Sequence, residues 1–284
     1  MKSAKKRLRL CACIPLTLLI TACSGQPTPT SSAPPPKADP VAEGERLLRS
    51  MSDTLAKSNS FTFETKEQLE IAGTAGEKGV VHFTRRATVK RPNALFFELR
   101  GTDEVPLEID AHYDGRTVSL NNRVNGRWAQ TEVPATLDEM LDDVAKRFGL
   151  PIPFGDIVYS SPYDAFIGPD TRGGVVGEET IDGMKYAKLD YADEYVQVKL
   201  WLPTSGPTLP RRLEMIYKKT PTPMTAQLNF TSWKLDTPVD DTIFAFKPAS
   251  SKDQADFGDF TAGLLARVVP PSQQPASTPE TKSK

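Results

Sequence analysis

Cys23 is the residue whose type and setting commit most clearly to a reaction. It closes the tetrad Ile20-Thr21-Ala22-Cys23, which looks like a lipobox: a branched apolar residue, two small residues, then a cysteine whose thiol takes a diacylglycerol before cleavage. Lys2, Lys5, Lys6, Arg7 and Arg9 make a basic stretch ahead of it, and residues 10–22 form a short apolar run, the two parts of a secretory signal. A membrane-spanning helix needs about 20 apolar residues, more than this run supplies. Residues 1–22 are therefore expected to be removed, leaving Cys23 to anchor the mature chain through acyl groups such as palmitate. Cys11 and Cys13 would leave with the leader, so no disulfide framework is expected.

Other reactive groups are sparse and scattered. His82 and His112 stand alone within strand patterns, without the spacing of a metal site. There is no GxSxG elbow, Walker loop or GxGxxG. The acidic pairs Asp142-Asp143 and Glu178-Glu179 are sequence neighbours, which a helix or strand splays apart. Gly173-Gly174 reads as a turn in a loop. No catalytic residue, metal ligand or cofactor is expected, and the reading is of a non-enzymatic protein. The basic pairs Arg85-Arg86 and Arg211-Arg212 fall on strands, where alternation sends one member to each face. A concave-face arginine could meet an anionic headgroup; rim positions and structural ion pairs are the plainer alternative.

These residues need elements to hold them. Residues 24–40 are rich in Pro, Ser and Thr and lack a large apolar residue, so with Cys23 they make an extended lipidated tether, 23–40. Residues 41–249 read as one domain and 250–284 as a C-terminal extension, disordered from about 270. Removing the leader takes five of the 35 basic side chains and no acidic ones, leaving 30 against 36, a formal charge of −6. That balance argues against a nucleic-acid partner and assigns membrane attachment to the acyl chains.

The domain opens with a helix at 41–58, where Leu47, Leu48, Met51 and Leu55 share one face. The period then changes to two. Phe61, Phe63, Leu69 and Ile71 share a parity, as do Val81, Phe83, Ala87 and Val89, which predicts a long antiparallel hairpin. Strands at 95–99, 107–113, 116–120 and 127–133 follow, separated by turn signals that include Asp114-Gly115 and Asn125-Gly126. A capping box, Thr136-Leu137-Asp138-Glu139, starts a second helix over 136–149. After a Pro-rich passage, strands resume near Val175 and Tyr186 and at 196–202, 213–218 and 226–235. Ten to twelve strands against two or three helices predict a mainly β (α+β) fold: a strongly curved antiparallel sheet, an incomplete barrel, covered by amphipathic helices.

Phe61, Phe63, Phe83, Phe97, Trp201 and Phe230 fall on strands; Leu137, Met140, Leu141, Val144 and Phe148 fall on the covering helix. Each alone reads as ordinary core. Together they are the candidates for lining a cavity between curved sheet and helix, since a wide half-barrel encloses more space than side chains easily fill.

From about Glu45 to Ala249 the chain resembles a family of predicted periplasmic proteins in the LolA/LolB lipoprotein-carrier superfamily. The resemblance rests on Tyr113-Asp114-Gly115-Arg116-Thr117-Val118, Pro134-Ala135-Thr136-Leu137-Asp138, Tyr159-Ser160-Ser161-Pro162-Tyr163, Leu209-Pro210-Arg211-Arg212-Leu213 and Phe244-Ala245-Phe246-Lys247-Pro248, in that order. It implies an incomplete barrel with helices over its mouth and a hydrophobic cavity suited to acyl chains. Combined with the anchor at Cys23, it implies a tethered receiver or lipid holder in a Gram-negative envelope, and Ser24 after the anchor points to the outer membrane, facing the periplasm. Lipid or lipoprotein acyl chains are the expected cargo, admitted by displacing the central helix. The alternative is a filled scaffold that docks another envelope protein, a partner the sequence leaves unidentified.

Overall fold

The computed structural model describes residues 39–72, 78–101, 106–149, 152, 154–219 and 224–268. The leader, Cys23, the tether up to residue 38 and the tail from 269 onward lie outside the described residues.

Helix α1 (Pro40–Lys57) begins where the sequence can satisfy its first amides. The Asp39 carboxylate accepts from the Val41 N–H at 3.0 Å, and Pro40 sits in the first turn, where its missing N–H costs nothing. Leu47, Leu48, Met51 and Leu55 are buried along one face, while Arg46–Glu43 and Arg49–Glu45 pairs line the outer one.

Twelve strands form one sheet: β1 (Ser60–Ala72), β2 (Lys78–Lys90), β3 (Ala94–Gly101), β4 (Glu108–Tyr113), β5 (Thr117–Asn122), β6 (Trp128–Glu132), β7 (Arg172–Ile181), β8 (Met184–Ala192), β9 (Val196–Pro203), β10 (Arg212–Tyr217), β11 (Met224–Leu235) and β12 (Gln254–Ala255). Their order is β12-β6-β5-β4-β3-β2-β1-β11-β10-β9-β8-β7. Two antiparallel meanders are thus joined through the long β1–β11 pairing, which runs from Phe61↔Leu235 to Ile71↔Met224. The sheet is strongly curved and does not close, as the alternation predicts. A register shift between Glu64 and Thr65 inserts a bulge into the β1–β11 join, the kind of irregularity that bends a strand. At the β7–β8 turn both Asp182 and Gly183 have positive φ, the backbone that a two-residue hairpin requires.

Four further helices lie among the described residues: α2 (Leu137–Phe148), α3 (Gly155–Val158), α4 (Pro162–Phe166) and α5 (Phe257–Val268). The sequence pattern predicts two or three helices in all. The short α3 and α4 sit inside the Pro-rich passage and are too brief for a 3.6-residue period to register. The fold also runs past Ala249: β12 pairs in parallel with β6, and Phe257 of α5 packs tilted against Phe148 of α2 with ring centroids 4.6 Å apart. Before that, the chain crosses the outer face of the sheet, where the Trp128 indole N–H donates to the Ser250 carbonyl at 2.8 Å and Phe246 packs on both Trp128 and His112.

Gly173-Gly174 is a correction to the sequence reading. Both lie in β7 where a side chain would not fit: Gly173 against Asp190 and Tyr191 of β8, Gly174 against the start of α1. A Cβ on Gly174 would come within 2.6 Å of the Pro40 carbonyl oxygen, and one on Gly44 within 2.8 Å of the Gly174 Cα. Gly174→Val is expected to cost about 1–3 kcal/mol by overpacking, read as a lowered urea midpoint. An unchanged midpoint would contradict this account of the α1–β7 contact.

Candidate functional site

Alternation places one parity of each strand on the concave face, and α2 crosses that face. Helix α2 starts at Thr136, whose Oγ1 accepts from the Glu139 N–H at 3.3 Å. The Glu139 carboxylate in turn accepts from the Thr136 hydroxyl at 2.8 Å, a variant of the expected box in which the carboxylate meets the hydroxyl and not a backbone amide. Gly149 ends the helix at φ +60°.

Polar contacts tie α2 down at both ends. The Ser160 N–H and hydroxyl donate to Asp138 at 2.8 and 2.5 Å, and the Tyr159 hydroxyl donates to Asp142 at 2.6 Å. Further along, the Tyr163 N–H donates to the Ser52 hydroxyl of α1 at 3.0 Å, so the segment 159–163 fastens α2 to α1. At the other end Arg147 donates to the Glu132 carbonyl and the Thr131 hydroxyl, both at 3.0 Å. Bonds of this kind each contribute about 0.5–1.5 kcal/mol net, so lifting α2 from the sheet involves a few kcal/mol in polar contacts.

Beneath α2 lies a cavity of about 180 Å³. Its walls come from Phe83 of β2, Leu95, Phe97 and Leu99 of β3, Ile109, Ala111 and Tyr113 of β4, Val118 and Leu120 of β5, and Met224, Ala226 and Leu228 of β11. Met140 and Val144 of α2 close it above, with Ile152, Phe154 and Leu264 of α5. Short side chains at Ala111 and Ala226 leave the room. One water needs only about 10–15 Å³, and an engineered apolar cavity of ~150 Å³ stays dry and binds benzene.

Two charged residues interrupt this apolar wall. The Arg85 Nε and Nη2 donate to the two Glu67 carboxylate oxygens at 2.7 and 2.8 Å, and the Thr65 hydroxyl donates to Glu67 at 2.6 Å. Both side chains are 7% exposed. Burial pushes the Glu67 carboxyl up, but the Arg85 charge, its hydrogen bonds and the Thr65 hydroxyl outweigh that and hold it below the ordinary value. The guanidinium carbon lies 4.9 Å from the Phe97 ring centroid and 4.4 Å from that of Phe154.

Asp156 on α3 is a second unusual carboxyl. Burial alone pushes it up to about 7, with no hydrogen bond from the described residues to oppose it. Its folded-state value is raised, so the native chain holds more protons than the unfolded one between about 4 and 7, and stability falls as pH rises through that window. Wild type is expected to have a higher urea midpoint at about pH 5 than at about pH 8, and Asp156→Asn to shrink the difference. Equal pH dependence in the two chains would contradict the assignment.

Of the residues expected to line a cavity, Phe83, Phe97, Met140 and Val144 do so. Phe61, Phe63 and Phe230 lie on the same face but beside the cavity, in a solid aromatic block. There Phe63 meets Trp233, Phe230 and Phe154 at centroid distances of 5.2, 5.6 and 5.8 Å. Leu137 and Leu141 are buried under α2, and Phe148 packs on Phe257. Trp201 is a correction. It has the opposite parity to Val198, Leu200 and Leu202, and its burial comes from cross-strand Lys188 and Arg212, 5.1 and 4.9 Å from its ring. Its indole N–H donates to Glu179 at 2.5 Å. Glu67, Arg85, Tyr113 and Phe154 are site residues that the sequence reading does not single out as cavity-lining. Arg85 has a visible signal, because it occupies the apolar parity of β2 between Phe83 and Ala87.

His112 sits under the C-terminal crossing with Nδ1 2.7 Å from the Ile243 carbonyl oxygen, and burial lowers its pKa. His82 is exposed.

An unclosed, strongly curved sheet with helices across its concave face and an apolar space between them defines the class, an incomplete β-barrel. The chain belongs to the family described as predicted periplasmic protein (DUF2092), whose model matches residues 44–258. Among solved structures it is similar to an uncharacterized conserved protein from Thermus thermophilus, with 9% identity over 75% of this chain and 98% of that one and a TM-score of 0.43. It is also similar to the lipoprotein LppX of Mycobacterium tuberculosis, with 14% identity, 69% and 96% coverage and a TM-score of 0.39. A LolA superfamily protein from Nitrosomonas europaea matches with 15% identity, 72% and 98% coverage and a TM-score of 0.34. No curated protein matches the chain.

Proposed function

We propose that this chain is a non-enzymatic envelope lipoprotein that binds acyl chains of lipids or lipoproteins between the curved sheet and α2. The observation that carries the reading is the apolar cavity of about 180 Å³ under that helix. Each buried methylene contributes about 0.8 kcal/mol, so even a short stretch of chain gains several kcal/mol there. Ordinary ligand pockets measure about 300–1,000 Å³, so a whole acyl chain requires α2 to lift, and the polar clasps at Asp138, Asp142 and Arg147 set how readily it does. Acylation at Cys23 would hold the domain at the membrane through the tether, and Ser24 supports the outer membrane, facing the periplasm.

Uptake of the neutral fluorophore N-phenyl-1-naphthylamine tests the site. Wild type is expected to enhance its emission and a fatty-acid methyl ester to displace it. The cavity-filling pair Ala111→Leu/Ala226→Leu should weaken uptake about tenfold or more without lowering the thermal midpoint. Equal uptake by the filled variant would contradict this site, and no uptake by either chain would leave the filled-scaffold reading standing.

A further inference from the structure

We infer that Arg85, balanced by Glu67, is a polar anchor for the neutral ester group of an acylated ligand, so that the cavity selects acyl esters over free fatty carboxylates and phosphates. The inference rests on the acyl-binding reading above and names the chemistry of its ligand.

Arg85 lines the cavity, and its Nε and Nη2 are occupied by Glu67. Its other terminal nitrogen, Nη1, has no acceptor among the described residues. It is not sealed off either: among the described residues, the buried side-chain polar atoms without a partner are Arg91 Nε and the Tyr191 hydroxyl. The guanidinium lies against the Phe97 and Phe154 rings, so this free donor is held in place at an apolar wall. It needs an acceptor from whatever enters.

Charge decides which acceptor. Glu67 already neutralises Arg85, so an anionic headgroup brought to Nη1 would place a second negative charge beside the Glu67 carboxylate in a medium that screens poorly. Attraction to Arg85 and repulsion from Glu67 nearly cancel, and the cost of stripping water from the anion is left uncompensated. An ester carbonyl brings no charge and satisfies the donor. Glycerolipids and acylated proteins both carry such esters.

The test uses the full chain with Cys23→Ser, so that its own acylation supplies no ester. Methyl decanoate labelled with ¹³C at the carbonyl is bound, and its infrared carbonyl band is compared with the same ester in alkane. The bound band is expected at lower frequency in this chain and at the alkane position when Glu67→Leu/Arg85→Met is added. In a second arm, Glu67→Gln leaves Arg85 unbalanced and should raise the affinity for decanoate about tenfold or more, measured by displacement of N-phenyl-1-naphthylamine. A bound ester with an alkane-like band, or unchanged decanoate affinity in folded Glu67→Gln, overturns this inference while acyl binding stands. Failure of both ligands to bind the unaltered cavity overturns both. If Glu67→Gln does not fold, the infrared arm decides. Native mass spectrometry of the chain from its own membranes separates the two ester sources, since a glycerolipid adds only its own small mass and an acylated protein adds a polypeptide.

Discussion

Replacing Arg85 by alanine is expected to destabilise the domain by about 3–5 kcal/mol, because it strands a buried carboxylate in an apolar wall. Glu67 and Arg85 are each 7% exposed and joined by two hydrogen bonds, so neither finds water when its partner is removed. Replacing both together should behave differently. Glu67→Leu/Arg85→Met removes two desolvated charges and fills their space with carbon, and such exchanges are often neutral or stabilising by about 1–4 kcal/mol. Urea unfolding of the single and double variants measures the contrast. A single variant within about 1 kcal/mol of wild type would mean that Glu67 escapes to solvent and the pair is not a buried unit. The pair also has a pH signature. Because the Glu67 carboxyl is held below its ordinary value, its contribution is complete above the unfolded-state carboxyl range and is lost as pH falls through the depressed folded value. That is opposite in sign to Asp156, so Glu67→Leu/Arg85→Met should flatten the acid limb and Asp156→Asn the limb approaching neutrality.

Phe63→Ala is expected to cost about 3–5 kcal/mol by transfer and cavity formation. Phe63 is fully buried at the join between β1 and β11, and it touches Phe61, Phe154, Phe230 and Trp233 at ring distances of 5.2 to 6.5 Å. Neighbours on all sides leave no way for the site to collapse. Phe97 makes an informative comparison, since one side of its ring faces the cavity and has no partner atoms there to lose. Phe97→Ala should therefore cost less than half as much. Equal losses at the two positions, measured by urea unfolding, would show that the space beside Phe97 is packed in solution.

The sheet was legible because its signals are local and repeated. Period-two runs at Phe61 to Ile71 and Val81 to Val89, together with the Asp-Gly and Asn-Gly turns, gave the meander, and Thr136 with Glu139 gave the start of α2. Curvature and cover followed from the same pattern. The composition of the wall did not. Strand parity puts Phe61, Phe63, Phe83 and Phe97 on one face, but it cannot say which of them meet other rings and which meet empty space. That depends on the β1–β11 pairing and on Phe154, which belongs to a segment without period. Trp201 shows a different limit: a tryptophan on the outer face is buried by the stems of Lys188 and Arg212 and hydrogen-bonded to Glu179, so its size alone did not place it inside. Gly173 and Gly174 read as a turn because glycine is common in turns, whereas here Gly173 admits close approach of β8 and Gly174 admits α1 against the strand. The Glu67–Arg85 pair was the nearest miss. Each residue stands at an apolar parity on an adjacent strand, and the register brings them together through Thr65↔Arg85 and Glu67↔Phe83.

Cys23, the tether and the cavity become one account only if the domain carries acyl chains where the chain works. Native mass spectrometry of the protein extracted from its own membranes reads this directly. The account predicts a non-covalent acyl-lipid adduct that departs on denaturation, unlike the acylation proposed at Cys23, and that is missing from the Ala111→Leu/Ala226→Leu variant. A lipid-free chain that also fails to take up N-phenyl-1-naphthylamine would contradict it.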